Sequence, residues 1–285
     1  MLFDNTFSKK IRDIAISAIA EDVGDGDFSS LACISTNSRG KAVLFSKDKG
    51  ILSGVDFAKQ VFDVVDDGLK VTIFKNDGDT IFHSDTILEV EGNQQSILKA
   101  ERVILNAMQR MSAIATKTAT YQKLIEGTKA KVIDTRKTTP GIRILEKWAV
   151  KIGGGENHRM GLYDMIMLKD NHIDFCGGVS TAISKTKNYL KENGLDLPIV
   201  VEAECLEMVS EILKSEGIFR ILLDNFNFEE TTKAVKLIDG RVLTESSGNI
   251  TDQNIRTYAT CGVDYISCGA LTHSVSNLDL SLKVF

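Results

Sequence analysis

The sequence lacks two features that would assign it to large classes of proteins. No apolar run approaches the roughly 20 residues that a membrane-spanning helix needs. There is also no cationic excess, since 34 Lys and Arg stand against 39 Asp and Glu and the pI is near 5.5. Nucleic-acid-binding domains carry basic faces and a high pI. We therefore expect a protein that binds neither membranes nor nucleic acid.

Paired cysteines are missing as well. The five cysteines are odd in number, scattered along the chain and without a Cys-x-x-Cys pair. This pattern argues against a disulfide framework and against a zinc site. The N-terminal stretch has acidic and polar residues where the apolar part of a secretion signal would stand. We expect reduced thiols in a cytoplasmic protein.

Two glycine- or aspartate-rich stretches resemble nucleotide or metal loops only in part. Gly153, Gly154 and Gly155 follow a helical pattern and lack the Lys-Ser/Thr pair of a P-loop. The stretch 21–27, EDVGDGD, resembles half of a calcium loop, but no Glu stands at its twelfth position. We interpret the first as a loop after a helix and the second as a turn.

Hydrophobic periodicity divides the chain into two predicted domains. Residues 1–112 predict an N-terminal α+β sandwich domain, with a helix near 8–21, strands at 41–47, 70–74 and 86–91, and a long amphipathic helix over about 96–125. We expect a C-terminal tail of about residues 272–285 to pack back on this domain.

Residues 113–271 show short apolar strands that alternate with helices ending at glycines. The predicted strands are 131–134, 165–168, 199–202, 220–223, 241–244 and 263–266. Short strands buried on both faces are typical of parallel α/β sheets. Six strands are fewer than the eight of a closed barrel. We therefore predict an open or incomplete α/β barrel of about six parallel strands.

Charged or small residues follow every one of these strands. In chain order they are Arg136-Lys137, Lys169 to His172, Glu202 and Glu204, Asp224-Asn225, Ser247-Gly248-Asn249 and Gly269-Ala270. The segment 134–172 carries seven cationic against five acidic residues, although the chain as a whole is acidic. Because guanidinium and ammonium groups pair with carboxylates and phosphates, this pattern favours a site for a small polyanion.

Each group also has an ordinary structural interpretation. Arg136 and Lys137 could be solvated loop charges, and Asp224 could cap the following helix. Glu202 and Glu204 could be one buried, salt-bridged carboxylate and its exposed neighbour. Residues 247–249 could form a plain turn. Their occurrence at successive strand ends, where α/β barrels carry their chemistry, favours a functional site.

The motifs DTRKTTPGIR (134–143), GGGENHRMGLYDMIMLKDNH (153–172), VEAE (201–204), ILLDN (221–225) and ESSGNI (245–250) occur in this order. Together with EDVGDGDFSS (21–30) and ERVILNAMQRMSAIATKT (101–118), they make the chain resemble the quinolinate phosphoribosyltransferase (decarboxylating) family over nearly its whole length. The resemblance implies transfer of phosphoribosyl from phosphoribosyl pyrophosphate to quinolinate, giving nicotinate mononucleotide, pyrophosphate and CO2.

The resemblance also implies roles for residues. Quinolinate carboxylates would be bound by Arg136, His158, Arg159 and Lys169, and by Arg102 from the partner subunit of a homodimer. Lys137, Glu204 and Asp224 are the expected catalytic residues. Phosphoribosyl pyrophosphate would contact Lys137, Lys169, Glu204, Asp224, Ser247, Gly248, Asn249, Gly269 and Ala270. Mg²⁺ would lie near Glu204 and Asp224, bound mostly through water. No organic cofactor is expected, because the ribosylated pyridine ring can itself accept the electron pair left by decarboxylation.

Two alternatives remain open from the sequence. The first is a related protein of the same fold that is linked to molybdenum transport, and the second is a non-enzymatic barrel that binds phosphorylated ligands. The full set of cations and of Lys137, Glu204 and Asp224 favours the enzyme over both. Nicotinate as the substrate is rejected, because one carboxylate would leave several buried cations unpaired, which is costly.

Overall fold

A computed structural model of the chain describes residues 5–285, with side chains from Phe7 onward. The first elements are α1 (Asn5–Val23), α2 (Phe28–Cys33), β1 (Arg39–Ser46), β2 (Gly50–Ile51), α3 (Val55–Val65), β3 (Lys70–Ile73), β4 (Thr80–Ile81), β5 (Thr86–Asn93) and α4 (Gln94–Leu124). Then follow β6 (Lys131–Ile133), α5 (Arg143–Ile152), β7 (Ile166–Leu168), α6 (Asp170–Cys176), α7 (Val179–Asn193), β8 (Ile199–Ala203) and α8 (Leu206–Ile212). The last are β9 (Arg220–Asp224), α9 (Phe228–Ile238), β10 (Leu243–Ser247), α10 (Ile255–Thr260), β11 (Tyr265–Ser267), α11 (Ala270–His273) and β12 (Leu280–Val284).

The chain forms two compact units that are not simply consecutive. The first consists of the chain to Ala119 with Thr138–Gly154 and Ser274–Phe285, and the second of Thr120–Lys137 with Gly155–His273. The long helix predicted over about 96–125 is α4, and the predicted boundary at residue 112 falls inside it. In the part of the chain that the structure describes, no helix is long and apolar enough to cross a membrane.

The first unit contains an antiparallel sheet in the order β12-β1-β5-β3. On the central strand β1, Ala42 and Leu44 are fully buried and alternate with more accessible neighbours, as a sheet with one covered face requires. Helix α3 buries Phe57 and Phe62 and packs against α1. The strands predicted at 41–47, 70–74 and 86–91 correspond to β1, β3 and β5. The short pair β2-β4 and the C-terminal strand β12 lack a strand prediction.

The second unit contains the predicted six parallel strands, in the order β6-β11-β10-β9-β8-β7. Strand β8 is buried along its whole length, which explains why all of its residues except Glu202 are apolar. Among the described residues β6 does not pair with β7, so the sheet is not closed into a barrel by hydrogen bonds. The prediction of an open α/β arrangement is confirmed.

Several strand boundaries differ by two or more residues from their predictions, and one of these differences has a physical reason in side-chain contacts. The strand expected at 241–244 is β10, which begins only at Leu243. Arg241 instead follows the end of α9 and caps it, because its guanidinium donates hydrogen bonds to the carbonyls of Leu237 and Ile238. A cation that satisfies the last carbonyls of a helix is a common C-terminal cap.

Candidate active site

The carboxyl ends of the six parallel strands lie at one edge of the second unit's sheet, and the predicted site residues of this unit follow those ends. Arg136 and Lys137 follow β6, and Lys169 follows β7. In the structure, contacts that the sequence pattern does not specify bring some of these residues together. Arg102 belongs to the first unit and is described separately.

Lys169 contacts a carboxylate from the next strand. Its Nζ lies 3.0 Å from Glu202 Oε2, and the Glu202 side chain is 7% exposed. Burial raises the pKa of Glu202 above its ordinary value, the contact with Lys169 opposes this rise, and the negative charge of Asp224 adds to it. Glu202 is thus the buried member of the Glu202/Glu204 pair, and Glu204 follows the strand in an exposed position.

Two guanidinium groups of this unit lie near each other. Arg159 is 7% exposed; burial and the nearby charge of Arg136 lower its pKa, and the charge of Asp164 opposes them only in part. Arg159 Nη1 donates a hydrogen bond to the carbonyl of Met165, 3.2 Å away, but the side chain pairs with no described carboxylate. Arg136 is exposed and makes no side-chain hydrogen bond to a described residue. A buried cation beside a second cation is stabilised by a bound anion.

The loop that carries His158 and Arg159 runs beside β6. Glu156 forms an isolated parallel bridge with Ile133, so this segment extends the open edge of the sheet. The buried carboxylate of Asp134 accepts hydrogen bonds from the backbone N–H of His158 (2.9 Å) and from Asn157 Nδ2 (2.6 Å). Asp134 therefore holds the loop at the carboxyl end of β6.

One ring nitrogen of His158 accepts a hydrogen bond, and the other lies near a buried carboxylate. The Arg159 N–H donates to His158 Nδ1 at 2.6 Å, and His158 Nε2 lies 3.4 Å from Glu245 Oε2. The imidazole of His158 is buried, whereas the side chain of Arg136 is exposed to solvent. The predicted contact of His158 with quinolinate stays a prediction.

Lys137 has a fixed backbone and an exposed side chain. Its carbonyl accepts a hydrogen bond from Thr272 Oγ1 at 2.8 Å. A Cβ placed on Gly269 would lie 3.0 Å from Lys137 Cδ and 3.1 Å from His273 Cδ2. Glycine at position 269 therefore leaves space for the methylene groups of the Lys137 side chain.

Hydrogen bonds of Asn225 connect the loop after β9 with the loop after β10. Its N–H donates to the Ser247 carbonyl (2.9 Å), its Nδ2 donates to Asp224 Oδ2 (2.7 Å), and Asn249 Nδ2 donates to its Oδ1 (3.3 Å). Gly248 has φ +96°, and a Cβ there would lie 2.1 Å from Asn225 Oδ1. Only glycine fits at this position, so the two loops form one network around Asp224.

Metal ligands in this unit are sparse. No group of three or more His, Cys, Asp or Glu residues that could hold an ion occurs in the described range 5–285. Glu204 and Asp224 supply only carboxylate oxygens at neighbouring strand ends. These residues fit Mg²⁺, which keeps most of its waters and often binds one or two carboxylates together with substrate phosphates.

Sequence reasoning missed three buried ionic residues of this unit. Glu245 is fully buried on β10 and pairs with Arg220, whose Nη1 lies 2.7 Å from Glu245 Oε2. Asp134 is also fully buried. A single charged residue within an apolar strand was the available signal, because such a residue is almost never buried without a partner.

In the first unit, Arg102 projects from α4 and is exposed. It lines a cavity of about 580 Å³ and makes no side-chain hydrogen bond or ion pair with a described residue. Arg110, on the same wall, donates from Nε (3.0 Å) and Nη2 (2.9 Å) to Glu146 Oε1. Arg110 therefore has a structural contact, whereas Arg102 remains available to an anion.

The fold and the site define a protein with an open sheet of parallel strands that presents exposed and buried cations, acidic groups and glycine-containing loops at one edge. Two family models match the chain: the quinolinate phosphoribosyl transferase N-terminal domain over residues 27–112, and the C-terminal domain of the same family over residues 114–283. The chain belongs to the quinolinate phosphoribosyl transferase family.

Individual relatives are similar over almost the full chain. A mitochondrial quinolinate phosphoribosyltransferase [decarboxylating] 2 from Nicotiana glauca is 42% identical, covering 96% of this chain and 82% of the relative. A chloroplastic nicotinate-nucleotide pyrophosphorylase [carboxylating] from Arabidopsis thaliana is 43% identical, with coverages of 94% and 80%. The crystal structure of NadC from Streptococcus pyogenes superposes with a TM-score of 0.91 at 39% identity, covering 97% of each chain.

Proposed function

We propose that this protein transfers the phosphoribosyl group of phosphoribosyl pyrophosphate to quinolinate and releases CO2 and pyrophosphate, giving nicotinate mononucleotide for NAD biosynthesis. The observation that carries the proposal is the buried guanidinium of Arg159 beside Arg136, which forms no ion pair with a described residue and whose burial and like-charged neighbour the charge of Asp164 offsets only in part. A dianionic substrate supplies the missing negative charge. The names of the relatives support the same substrate.

Two carboxylates on the substrate match the number of cations better than one. Arg136 and Arg159 form one cationic group, and Lys169 provides a second at the end of β7. Quinolinate is a pyridine dicarboxylate, whereas nicotinate carries a single carboxylate. Nicotinate would make only one of these two charge contacts, and Lys169 would keep only Glu202 as its partner, so we expect quinolinate to be preferred.

The loops after β10 and β11 are suited to the phosphorylated sugar. We assign Ser247, Gly248, Asn249, Gly269 and Ala270 to the 5′-phosphate, because small residues let backbone N–H groups approach phosphate oxygens closely. Glu204 and Asp224 would lie near the ribose hydroxyls, where their charge offsets the positive charge that develops on the sugar as pyrophosphate leaves. Lys137 and Lys169 would contact the departing pyrophosphate.

Mg²⁺ is part of the proposal, held chiefly by the pyrophosphate substrate with Glu204 and Asp224 as its protein ligands through water. When bound, it neutralises charge on the leaving group. Transfer makes the pyridine nitrogen quaternary, and loss of the adjacent carboxylate as CO2 leaves its electron pair on the ring carbon beside that nitrogen. A proton from solvent completes the product. This chemistry requires no organic cofactor.

We further propose a homodimer in which Arg102 of each subunit completes the site of the other. The support is that Arg102 is exposed and without a described polar partner. We propose a cytoplasmic location as well, although several plant relatives carry mitochondrial or chloroplastic in their names.

The test is an assay of the purified protein with Mg²⁺, phosphoribosyl pyrophosphate and either quinolinate or nicotinate, in which mononucleotide and CO2 are measured. We expect both products from quinolinate and none from nicotinate. A folded protein that is inactive with both substrates would refute the proposal and favour the transport-linked relative or a binding protein.

A further inference from the structure

Asn225 has an uncommon backbone conformation at the point where β9 ends. The last paired residues of the parallel strands β9 and β10 are Asp224 and Ser247. The next residue, Asn225, has φ +55°, in the left-handed region where a Cβ is normally unfavourable and glycine is preferred. Asparagine occupies this region when its short side chain forms local hydrogen bonds. The partners of the Asn225 side chain therefore indicate what it contributes at this turn.

The amide of Asn225 connects two parts of the proposed site. Its Nδ2 donates a hydrogen bond to Asp224 Oδ2 at 2.7 Å, and its Oδ1 accepts one from Asn249 Nδ2 at 3.3 Å. Because an ionised carboxylate can only accept, Asp224 determines which end of the amide faces which partner. The backbone N–H of Asn225 also donates to the Ser247 carbonyl at 2.9 Å. One residue thus contacts both the carboxylate at the end of β9 and the loop after β10.

Residues 247–249, the 247–249 loop, lie between two asparagines. On one side, a Cβ on Gly248 would lie 2.1 Å from Asn225 Oδ1 and 3.0 Å from the Asn225 backbone nitrogen, so the loop backbone packs directly against Asn225. On the other side, Asn254 Nδ2 donates to the Asn249 carbonyl at 2.9 Å. Movement of the 247–249 loop relative to the end of β9 would break at least one of these contacts.

The proposed function assigns these two parts to the same substrate. Asp224 is assigned to the ribose hydroxyls, and the 247–249 loop to the 5′-phosphate of phosphoribosyl pyrophosphate. Both groups belong to one covalently connected sugar phosphate, so Asp224 and the loop must lie at a defined separation to contact them together. A displacement of about 1 Å in a group that positions a substrate can cost roughly a hundredfold in rate.

We propose that Asn225 is a positioning residue. Its amide fixes the orientation of the Asp224 carboxylate and the distance from that carboxylate to the 247–249 loop, so that both contact one phosphoribosyl group. Asn225 acts through these neighbours and not by contact with the substrate. This inference rests on the proposed function for its kinetic readout.

The kinetic test separates positioning from turn formation. Asn225→Gly permits the same backbone without strain but removes both side-chain hydrogen bonds. We expect it to raise the KM for phosphoribosyl pyrophosphate about tenfold and to change the KM for quinolinate less than about twofold. Asp239→Gly is the matched control, because Asp239 has a similar φ of +49° and is exposed at the end of α9. It should leave both KM values unchanged. Unchanged KM values in Asn225→Gly would reduce Asn225 to a turn residue and overturn the proposal.

Asn225→Asp is a second variant of nearly the same size. Aspartate also tolerates the left-handed region and can still accept from Asn249, but it cannot donate to Asp224 and places a second negative charge beside it. This variant should therefore also raise the KM for phosphoribosyl pyrophosphate at least about tenfold. Wild-type kinetics in Asn225→Asp would show that the bond to Asp224 has no role.

Crystal structures of the wild type, Asn225→Gly and Asp239→Gly without substrate give a readout that does not depend on activity. We expect the Asp224 carboxylate and the 247–249 loop to be displaced in Asn225→Gly alone. The same placement in all three proteins would overturn the proposal, as would a hydrogen bond from Asn225 to phosphoribosyl pyrophosphate in a structure with that substrate bound. If the displacement occurs but the wild type converts neither quinolinate nor nicotinate, the proposed function fails and the positioning of Asp224 by Asn225 still holds.

Discussion

Lys169 and Glu202 form an ion pair between neighbouring parallel strands, with Nζ 3.0 Å from Oε2. The lysine side chain is 46% exposed and the glutamate side chain 7% exposed, so the cation reaches outward from a buried anion. This arrangement gives Lys169 both a structural role and a proposed substrate-binding role, which two variants can separate.

Lys169→Met should reduce kcat/KM for quinolinate at least about a hundredfold and lower the free energy of unfolding by about 1 kcal/mol, because the buried Glu202 carboxylate loses its cation. Adding Glu202→Gln should restore the stability without restoring turnover. Urea unfolding and steady-state kinetics measure the two effects. Recovery of activity in the double variant would contradict a direct role of Lys169.

Gly248→Ala should abolish most activity by displacing Asn225, because the new Cβ would overlap with Asn225 Oδ1. We expect at least about a tenfold rise in the KM for phosphoribosyl pyrophosphate and a stability loss of about 2 kcal/mol. Gly127→Ala is the matched control, since Gly127 has a similar φ of +81° and open space around it. Gly127→Ala should lower the free energy of unfolding by about 1 kcal/mol and leave the KM for phosphoribosyl pyrophosphate unchanged. Equal KM values in both variants would count against the assignment of the Gly248 loop to this substrate.

The buried carboxyl group of Asp77 should make the stability of the first unit depend on pH. Its Oδ1 accepts the Val55 N–H at 2.8 Å, whereas Oδ2 is buried without a described partner, and burial raises the pKa of Asp77 to about 6. Since the folded state retains this proton more readily than the unfolded chain, its contribution to stability is lost as the pH rises from about 4 to above 6.

Asp77→Asn should remove that loss of stability. The free energy of unfolding of the variant, relative to that of the wild type, should therefore be about 2 kcal/mol higher at pH 8 than at pH 4. Urea denaturation at both pH values checks this difference. Asp67→Asn, at an exposed carboxylate of the same unit, is the control and should follow the wild type. The same pH dependence in Asp77→Asn as in the wild type would show that Asp77 is not the titrating group.

The proposed sharing of the site between subunits can be tested by complementation. Arg102→Ala and Lys169→Met homodimers should each be nearly inactive. If Arg102 acts on the partner's site, mixed dimers contain one site with both residues intact, so random mixing should recover about a quarter of the wild-type activity. Coexpression followed by an assay measures the recovery. No recovery, in dimers shown to have exchanged subunits, would place Arg102 in the site of its own subunit.

The sequence predicted the parallel strands of the second unit because periodicity and glycine-terminated helices are local signals. It also predicted which residues follow the strand ends, since that order is fixed by the chain. It could not assign the partner of Lys169, because Glu202 and Glu204 are equivalent in a strand pattern until burial distinguishes them. The buried pair Arg220–Glu245 was missed for a similar reason: the two residues are distant in sequence and adjacent only across strands β9 and β10.

Strand β12 was missed because its register depends on a partner far away in the chain. Residues Leu280–Val284 alternate only weakly, and Val284 is exposed. What fixes the strand is its antiparallel pairing with β1, in which Val284 lies opposite Ala42. Such a pairing is decided by tertiary contact, which a pattern read along the sequence does not contain.

The same pairing has a consequence for biosynthesis. Strand β1 emerges from the ribosome early, but its neighbour β12 emerges only after every strand of the parallel sheet has been made. Until then the backbone N–H and C=O groups along one edge of β1 have no partner, and such an edge can pair with other chains. The antiparallel sheet can therefore be completed only after the parallel sheet has been synthesised, and the nascent chain should depend on chaperones through that interval.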